Sequence, residues 1–179
     1  MESIFSTSQR IKILESVIFK TDRFTVNGTA SQLKLSKGLV SKYFQILLNE
    51  KVLKLEKGNL VVSQSPFVRA IKILFSVRRI DAKIFSKSSF VIAAGLFGSC
   101  ARGENTEESD VDLWVRIRDV KESEAASLTA ALNKRIKNVK IMLLSETRLE
   151  KIKKEDAMFY HSLVFGSIMI YGDIDVTQV

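Results

Sequence analysis

The feature that most restricts the fold of this chain is a glycine break after an apolar run, followed at a fixed distance by two aspartates. Residues 90–97 form a strand-like apolar run that Gly98-Ser99 interrupts, and a short helix can begin there. Glycine lets backbone N–H groups approach a ligand, and a helix start favours negative charge, so this turn suits phosphate. Asp110 and Asp112 follow ten residues later. Alternate strand residues share one face, which places two oxygen ligands side by side for Mg²⁺.

The charge of the chain is unevenly distributed. The net charge is +8, and residues 1–89 carry 16 Lys+Arg against 6 Asp+Glu, or +10, which leaves −2 for residues 90–179. Such a basic half predicts contact with a polyanion. The single proline, Pro66, marks a boundary, and residues 67–85 have helical apolar spacing. We therefore predict an α+β protein with a domain at 1–65, a connecting helix at 66–87 and a second domain at 88–179.

Three helices are predicted in the basic half. Residues 9–20 place their apolar side chains on one helical face. A second helix can start after Asn27, whose side chain can cap it, and a third can start after Ser36. In the third helix Val40, Phe44, Leu47 and Leu48 form the stripe expected to be buried.

A β-hairpin is predicted after the helices, from apolar runs at 52–55 and 60–62 with Gly58 and Asn59 supplying the unusual turn angles. Three helices and a hairpin in this order resemble a winged helix-turn-helix, whose third helix enters the DNA major groove. The residues expected at double-stranded DNA are Lys37, Ser41, Lys42 and Gln45 on the helix and Lys54 and Lys57 at the wing. A solvated helix face on a docking or dimerisation domain is the alternative, and the local charge of +10 favours DNA.

The second domain resembles the minimal nucleotidyltransferases of the DNA polymerase beta superfamily. The resemblance lies in Gly98-Ser99, ten residues and Asp110-Val111-Asp112, within the text LFGS, ARG and SDVDL. It continues through a helix at 121–137, a strand at 139–144, a helix at 147–165 and a closing strand within 166–172. It implies a nucleotidyltransferase domain with a small mixed sheet flanked by helices.

The resemblance also implies the roles of the site residues. Gly98 and Ser99 would hold the β- and γ-phosphates, Asp110 and Asp112 would be the catalytic metal ligands, and Arg102 would add charge near the triphosphate. The implied cofactor is Mg²⁺, with ATP or another nucleoside triphosphate as substrate. The implied reaction moves a nucleoside monophosphate to a hydroxyl acceptor.

One position departs from the family pattern, which usually brings a third carboxylate from the next strand. Lys140 occupies the comparable position here, and a lysine beside two aspartates is expected to form an ion pair or to contact phosphate. Three alternatives follow: the loop supplies the acid, from Glu104, Glu107 or Glu108; the two-aspartate motif suffices, as the resemblance to antitoxin-type relatives implies; or activity is lost. The loss would make the chain a DNA-binding transcriptional regulator with a catalytically degenerate domain.

The remaining expectations concern partners and isolated residues. By resemblance the acceptor could be a tyrosine on a HEPN-type ribonuclease toxin, which would make the chain an antitoxin, and a small molecule or an RNA end are the alternative acceptors. A homodimer is a further expectation. One cysteine and one histidine exclude an internal disulfide and the usual zinc clusters, and apolar runs are too short for a membrane span, so a cytoplasmic protein is expected. Cys100 is expected to pack, His161 to be partly buried or interfacial, and Trp114 to border the nucleotide or pack in the core.

Overall fold

In the computed structural model, which describes residues 2–172, the chain divides into two units whose boundary falls within a helix. Unit 1 runs through Lys72 and also includes Asn105–Glu108. Unit 2 contains the other described residues, Ile73–Glu104 and those from Ser109 onward. The domain limits at 1–65, 66–87 and 88–179 stay a prediction about independent folding, which a division by contacts does not test.

Three helices of unit 1 begin after residues whose side chains cap them, namely Thr7, Thr25 and Ser36. Ser36 caps its helix as predicted, because its hydroxyl accepts a hydrogen bond from the Leu39 N–H at 3.3 Å. The prediction that Asn27 caps the second helix is wrong: Thr25 is the cap and accepts from the Gly28 N–H at 3.0 Å, while Asn27 lies inside the helix. The helices are α1 Glu2–Phe5, α2 Ser8–Val17, α3 Val26–Leu33 and α4 Lys37–Asn49.

Two antiparallel strands follow, β1 Leu53–Glu56 and β2 Asn59–Val62. The turn between them has positive φ at Lys57 (50°) and Gly58 (77°), the combination found in type I′ hairpins. Asn59 was expected to supply one of these angles and does not, since it is the first residue of β2 and pairs with Glu56.

The core of unit 1 uses the predicted stripe of α4. Val40, Phe44 and Leu47 are buried, whereas Leu48 is only half-buried. Tyr43 is buried as well, and its hydroxyl donates a hydrogen bond to the Ile4 carbonyl at 2.9 Å. The helices and the hairpin therefore occur in the predicted order, and their assignment to the winged helix-turn-helix class stays a prediction.

The predicted single connecting helix is wrong in its extent. The structure has α5 at Pro66–Arg78 and a separate short helix, α6, at Lys83–Ser86. The side chain of Asp81 accepts a hydrogen bond from the Lys83 N–H at 3.0 Å, which starts a new helix instead of continuing α5.

Unit 2 is built on a four-stranded sheet of order β5-β4-β3-β6, in which β4 and β5 are parallel and the other pairs are antiparallel. This mixed sheet with flanking helices agrees with the predicted α+β class. The strands are β3 Val91–Phe97, β4 Val111–Ile117, β5 Val139–Leu144 and β6 Ile168–Tyr171, and the helices are α7 Gly98–Arg102, α8 Glu122–Arg135, α9 Glu146–Glu155 and α10 Ala157–Gly166.

The long helix predicted at 147–165 is in fact two helices. Asp156 separates α9 from α10, and its carboxylate accepts a hydrogen bond from the Phe159 N–H at 2.9 Å. An aspartate that bonds the backbone locally favours a helix start over a helix interior. The break lets α10 take a course that differs from that of α9.

The two faces of the sheet carry separate cores. Leu113 and Val115 pack with α8 on one face, while Trp114 packs with Leu144 of β5 and Leu163 of α10 on the other. Since alternate strand residues share a face, Asp112 lies on the Trp114 side. Among the helices formed by residues 2–172, none has the length and apolar character needed to cross a membrane.

Candidate active site

The turn from β3 to α7 brings the backbone of Gly98 against a carboxylate. Gly98 has a φ of +67°, and a Cβ atom placed on it would lie 2.5 Å from Oδ2 of Asp112. Two features therefore disfavour any side chain at this position: the positive backbone φ and the neighbouring carboxylate. Phe97 pairs directly with Asp112 across the two strands, so strand pairing itself brings the glycine turn to the aspartate.

The two aspartates meet Lys140 on the same face of the sheet. Asp112 is the cross-strand partner of Lys140 in the parallel β4–β5 pair, and Asp110 lies just before β4. The ammonium Nζ of Lys140 lies 2.6 Å from Oδ2 of Asp110. The predicted ion pair is present, and the idea that this lysine replaces an acid of the family stays a prediction.

The charges of this cluster perturb one another. Burial raises the pKa of Asp112, and the negative charge of Asp110 adds to that rise, whereas Lys140 and Arg102 oppose it. The hydrogen bond to Asp110 raises the pKa of Lys140, because it stabilises the ammonium form. A nearby cation therefore stabilises the ionised form of Asp112.

The other predicted phosphate-binding residues lie on α7. Ser99 is half-buried in the first turn of this helix, directly after Gly98. Arg102 is exposed at the end of α7, and its Nε donates to the Glu104 carboxylate at 2.8 Å. Because α7 follows β3 directly and β3 pairs with β4, the helix that carries this hydroxyl and this guanidinium begins beside Asp112.

Cys100 has a contact that sequence reasoning missed. The side chain is buried as predicted, and its sulfur donates a hydrogen bond to the Asp110 carbonyl at 3.4 Å. Burial raises the pKa of this thiol, which keeps it protonated as a donor. Cys100 therefore ties α7 to the residue where the dicarboxylate motif begins, and no sequence signal marks that role.

The loop between the two halves of the motif holds a second unpredicted contact. Lys72 is only 6% exposed, and its Nζ donates to the Asn105 carbonyl at 2.8 Å, both within unit 1. The Glu107 N–H donates to the Phe19 carbonyl at 3.0 Å in the same unit. Burial lowers the pKa of Lys72. In sequence Lys72 was one of several basic residues on the polar side of a predicted helix.

The loop acids do not join the aspartates to form a larger cluster. Over residues 2–172, no group of three or more His, Cys, Asp or Glu side chains is positioned to hold a metal ion. Glu104 bonds Arg102. The structure therefore does not bring Glu104, Glu107 or Glu108 into the role of a third metal ligand.

Two aspartates remain a suitable donor set for a cation that arrives with phosphate. Mg²⁺ in proteins is commonly held by one or two carboxylates, with substrate phosphates and water completing its coordination. Asp112 faces the Gly98 turn, which is predicted to bind phosphate, and burial raises the pKa of Asp112, an effect that a cation would offset. The residues of this chain fit such a metal, with Lys140 as a competing cation.

Trp114 and His161 differ in burial. Trp114 is 5% exposed and belongs to the core: its indole lies over Gly95, and its Nε1 donates to the Ser167 hydroxyl at 2.9 Å. His161 is exposed and stacks on Phe165 with ring centroids 5.8 Å apart, so the expectation that it is partly buried is wrong, and the alternative that it lies at an interface stays a prediction. An α10 face directed outward leaves His161 with no core to enter.

The residues predicted to contact DNA are all exposed in unit 1. Four lie on α4, one lies in β1 and one lies in the turn of the hairpin. They are Lys37, Ser41, Lys42, Gln45, Lys54 and Lys57. Lys54 also pairs with Glu56 at 3.3 Å, which offsets part of its charge.

Comparison with known proteins identifies the family of unit 2. Residues 82–175 match the family model described as "Polymerase beta, Nucleotidyltransferase", which is slightly more than half of the 179 residues. Among solved structures, a candidate nucleotidyltransferase from Sulfolobus solfataricus is similar, with a TM-score of 0.37 and 16% identity over 56% of this chain and 84% of that chain. No curated protein matches. On the strength of the family match, the chain belongs to the polymerase beta nucleotidyltransferase family.

Proposed function

We propose that this chain transfers a nucleoside monophosphate from a nucleoside triphosphate, ATP, to a hydroxyl acceptor and releases pyrophosphate. The observation that carries the proposal is the contact between Gly98 and Asp112, which sets a phosphate-binding turn against a metal-binding carboxylate. Nucleotidyl transfer is the activity that the family implies in general. The nucleotide, the metal and the acceptor are the parts that we add.

In this proposal each residue has a distinct task. The backbone of Gly98 and the hydroxyl of Ser99 bind phosphate oxygens, and Arg102 can leave its exposed pair with Glu104 to add positive charge. Asp110 and Asp112 hold Mg²⁺, which supplies charge neutralisation at the phosphates when bound. In phosphoryl transfer the protein accelerates the reaction mainly by holding the phosphate in line for attack and by stabilising its negative charge.

The decisive experiment is calorimetric titration with a non-hydrolysable ATP analogue, with and without Mg²⁺. We expect wild-type protein to bind the analogue in the presence of Mg²⁺ and Asp112→Asn to lose that binding. The matched control is Asp119→Asn, an exposed aspartate beyond the end of β4, which should bind as wild type does. Wild-type protein that binds no analogue at any Mg²⁺ concentration would refute the proposal.

For the acceptor we propose a tyrosine of a HEPN-type toxin partner, in line with the resemblance to antitoxin-type relatives. The test mixes the chain, α-labelled ATP and such a toxin, and follows label on the toxin. Label on a toxin whose tyrosine is intact, and none after Tyr→Phe replacement, supports this acceptor. Binding of nucleotide without label transfer would leave the nucleotide site in place and remove this acceptor.

A second function is proposed for unit 1, namely binding of double-stranded DNA through α4 and the hairpin. The supporting observation is that Lys37 and Lys42 are exposed on one helix beside two polar residues able to reach base edges. The chain would then also act as a transcriptional regulator, and this role alone would remain if the nucleotide site is inactive.

DNA binding is tested with the full chain in a mobility-shift assay at several salt concentrations. The double variant Lys37→Gln and Lys42→Gln should bind more weakly and with a shallower salt dependence, by about two phosphate contacts. Lys134→Gln with Lys154→Gln removes the same charge from exposed positions on α8 and α9 and serves as control. Equal losses in both variants would count against a specific DNA face.

A further inference from the structure

The strongest unexplained contact in the site is the ion pair between Lys140 and Asp110. Their side chains remain 69% and 42% exposed, yet Nζ lies 2.6 Å from Oδ2. Strand pairing also sets Lys140 opposite Asp112, so this lysine adjoins both members of the dicarboxylate pair. A lysine on a flexible stem at an exposed position can change partners at small cost.

The Lys140–Asp110 ion pair lowers the negative charge that the site presents to a metal ion. Two carboxylates present −2 to an approaching metal ion, and the Lys140 ammonium reduces that to −1. In water, one unit charge at about 4 Å changes the affinity for a monovalent ion by roughly fivefold, and the effect on a divalent ion is larger. A triphosphate reverses the balance, because its negative charge is a better partner for the ammonium than one carboxylate is.

We propose that Lys140 is a displaceable internal cation that makes metal binding depend on nucleotide binding. In the empty site Lys140 neutralises Asp110, so a divalent cation alone binds weakly. When a nucleoside triphosphate enters, Lys140 transfers to its phosphates and Asp110 becomes available to the metal. Metal and nucleotide therefore bind cooperatively, which follows from the exchange of one cation for another. This inference rests in part on the proposed nucleotide site, and its metal step stands without it.

The metal step is tested with Mn²⁺ alone, by electron paramagnetic resonance of the free ion. Lys140→Gln keeps a similar length, removes the charge and leaves an exposed position, so folding should be retained. We expect it to bind Mn²⁺ at least fivefold more tightly than wild type. Lys140→Arg keeps the charge and should match wild type, as should Lys134→Gln on α8, which packs on the opposite face of the sheet. A Lys140→Gln variant without tighter Mn²⁺ binding overturns the proposal.

The nucleotide step is tested by repeating the titration with a non-hydrolysable ATP analogue, allowing for the Mn²⁺ that the analogue binds in free solution. Wild-type protein should gain Mn²⁺ affinity when the analogue is present, and Lys140→Gln should gain several-fold less. An equal gain in both proteins overturns the coupling. If wild type binds no analogue, the proposed transferase function fails, and the experiment with Mn²⁺ alone still decides the role of Lys140.

Discussion

Replacing Gly98 with alanine tests how closely the Gly98 turn, proposed to bind phosphate, fits against the Asp112 carboxylate, proposed to bind metal. A Cβ at this position would lie 2.5 Å from Oδ2 of Asp112, whereas real Cβ atoms essentially never come within 3.0 Å of a heavy atom outside their own and the adjacent residues. The carboxylate must therefore move by about 0.5 Å or more, or the turn must open. The positive φ of 67° adds a backbone cost of about 1–2 kcal/mol for alanine.

Gly58→Ala is the matched control, because it shares the backbone strain and lacks the collision. Gly58 has a φ of +77°, and a Cβ placed on it meets nothing within 4 Å. Amide hydrogen exchange should show a loss of about 1–2 kcal/mol around each substituted turn in its own variant. Calorimetry should show that only Gly98→Ala loses affinity for the Mg²⁺–ATP analogue, by tenfold or more, since small displacements of positioned groups are costly.

Two results would refute this reasoning. One is a folded Gly98→Ala protein with wild-type affinity for the analogue, which would mean that the carboxylate position does not matter. The other is an equal loss of affinity in Gly58→Ala, which would mean that the effect is not local to the site.

Three further predictions concern packing, charge and one buried hydrogen bond. Gly95→Ala should cost about 1–3 kcal/mol in urea unfolding, because its Cβ would lie 2.5 Å from the Trp114 indole; an unchanged midpoint would contradict this. Asp112→Asn should melt at a higher temperature than wild type at pH 7, with the difference shrinking in acid; a less stable variant at pH 7 would contradict this. Tyr43→Phe should cost about 1–2 kcal/mol by circular dichroism, because the buried Ile4 carbonyl loses its donor; a cost near zero would mean that another donor replaces it.

The sign of the Asp112 prediction follows from its raised pKa. The folded protein binds the Asp112 proton more tightly than the unfolded chain does, so the fold loses stability as pH rises from the ordinary aspartate pKa through the raised one. Asparagine cannot ionise and escapes that loss. The advantage of Asp112→Asn is therefore full above the raised pKa and disappears below the ordinary one.

Features fixed by neighbouring residues could be predicted from the sequence. Ser36 precedes a helix with a regular apolar stripe, which predicts that the helix begins there. Gly98 interrupts an apolar strand, which predicts a turn at that residue. The pairing of Lys140 with the aspartates was predictable too, since it needs only two adjacent parallel strands in the expected alignment.

The sequence could not predict features that depend on two residues competing for one role or on partners far away in the chain. Thr25 and Asn27 are both good helix caps, and the sequence does not decide between them. Asp156 reads equally well as a polar residue within a long amphipathic helix. Lys72 and Cys100 gain their roles from carbonyls 33 and 10 residues away, and neither residue type predicts such a partner.

Trp114 gives the protein a built-in optical probe. It is the only tryptophan among the 179 residues, it is buried, and it lies two positions after Asp112 on the same strand face. Its hydrogen bond to Ser167 and its packing over Gly95 fix the indole in a defined environment. Fluorescence excited at the red edge of indole absorption therefore reports on this strand alone. Events at the aspartates can be followed without a label, at concentrations far below those that calorimetry requires.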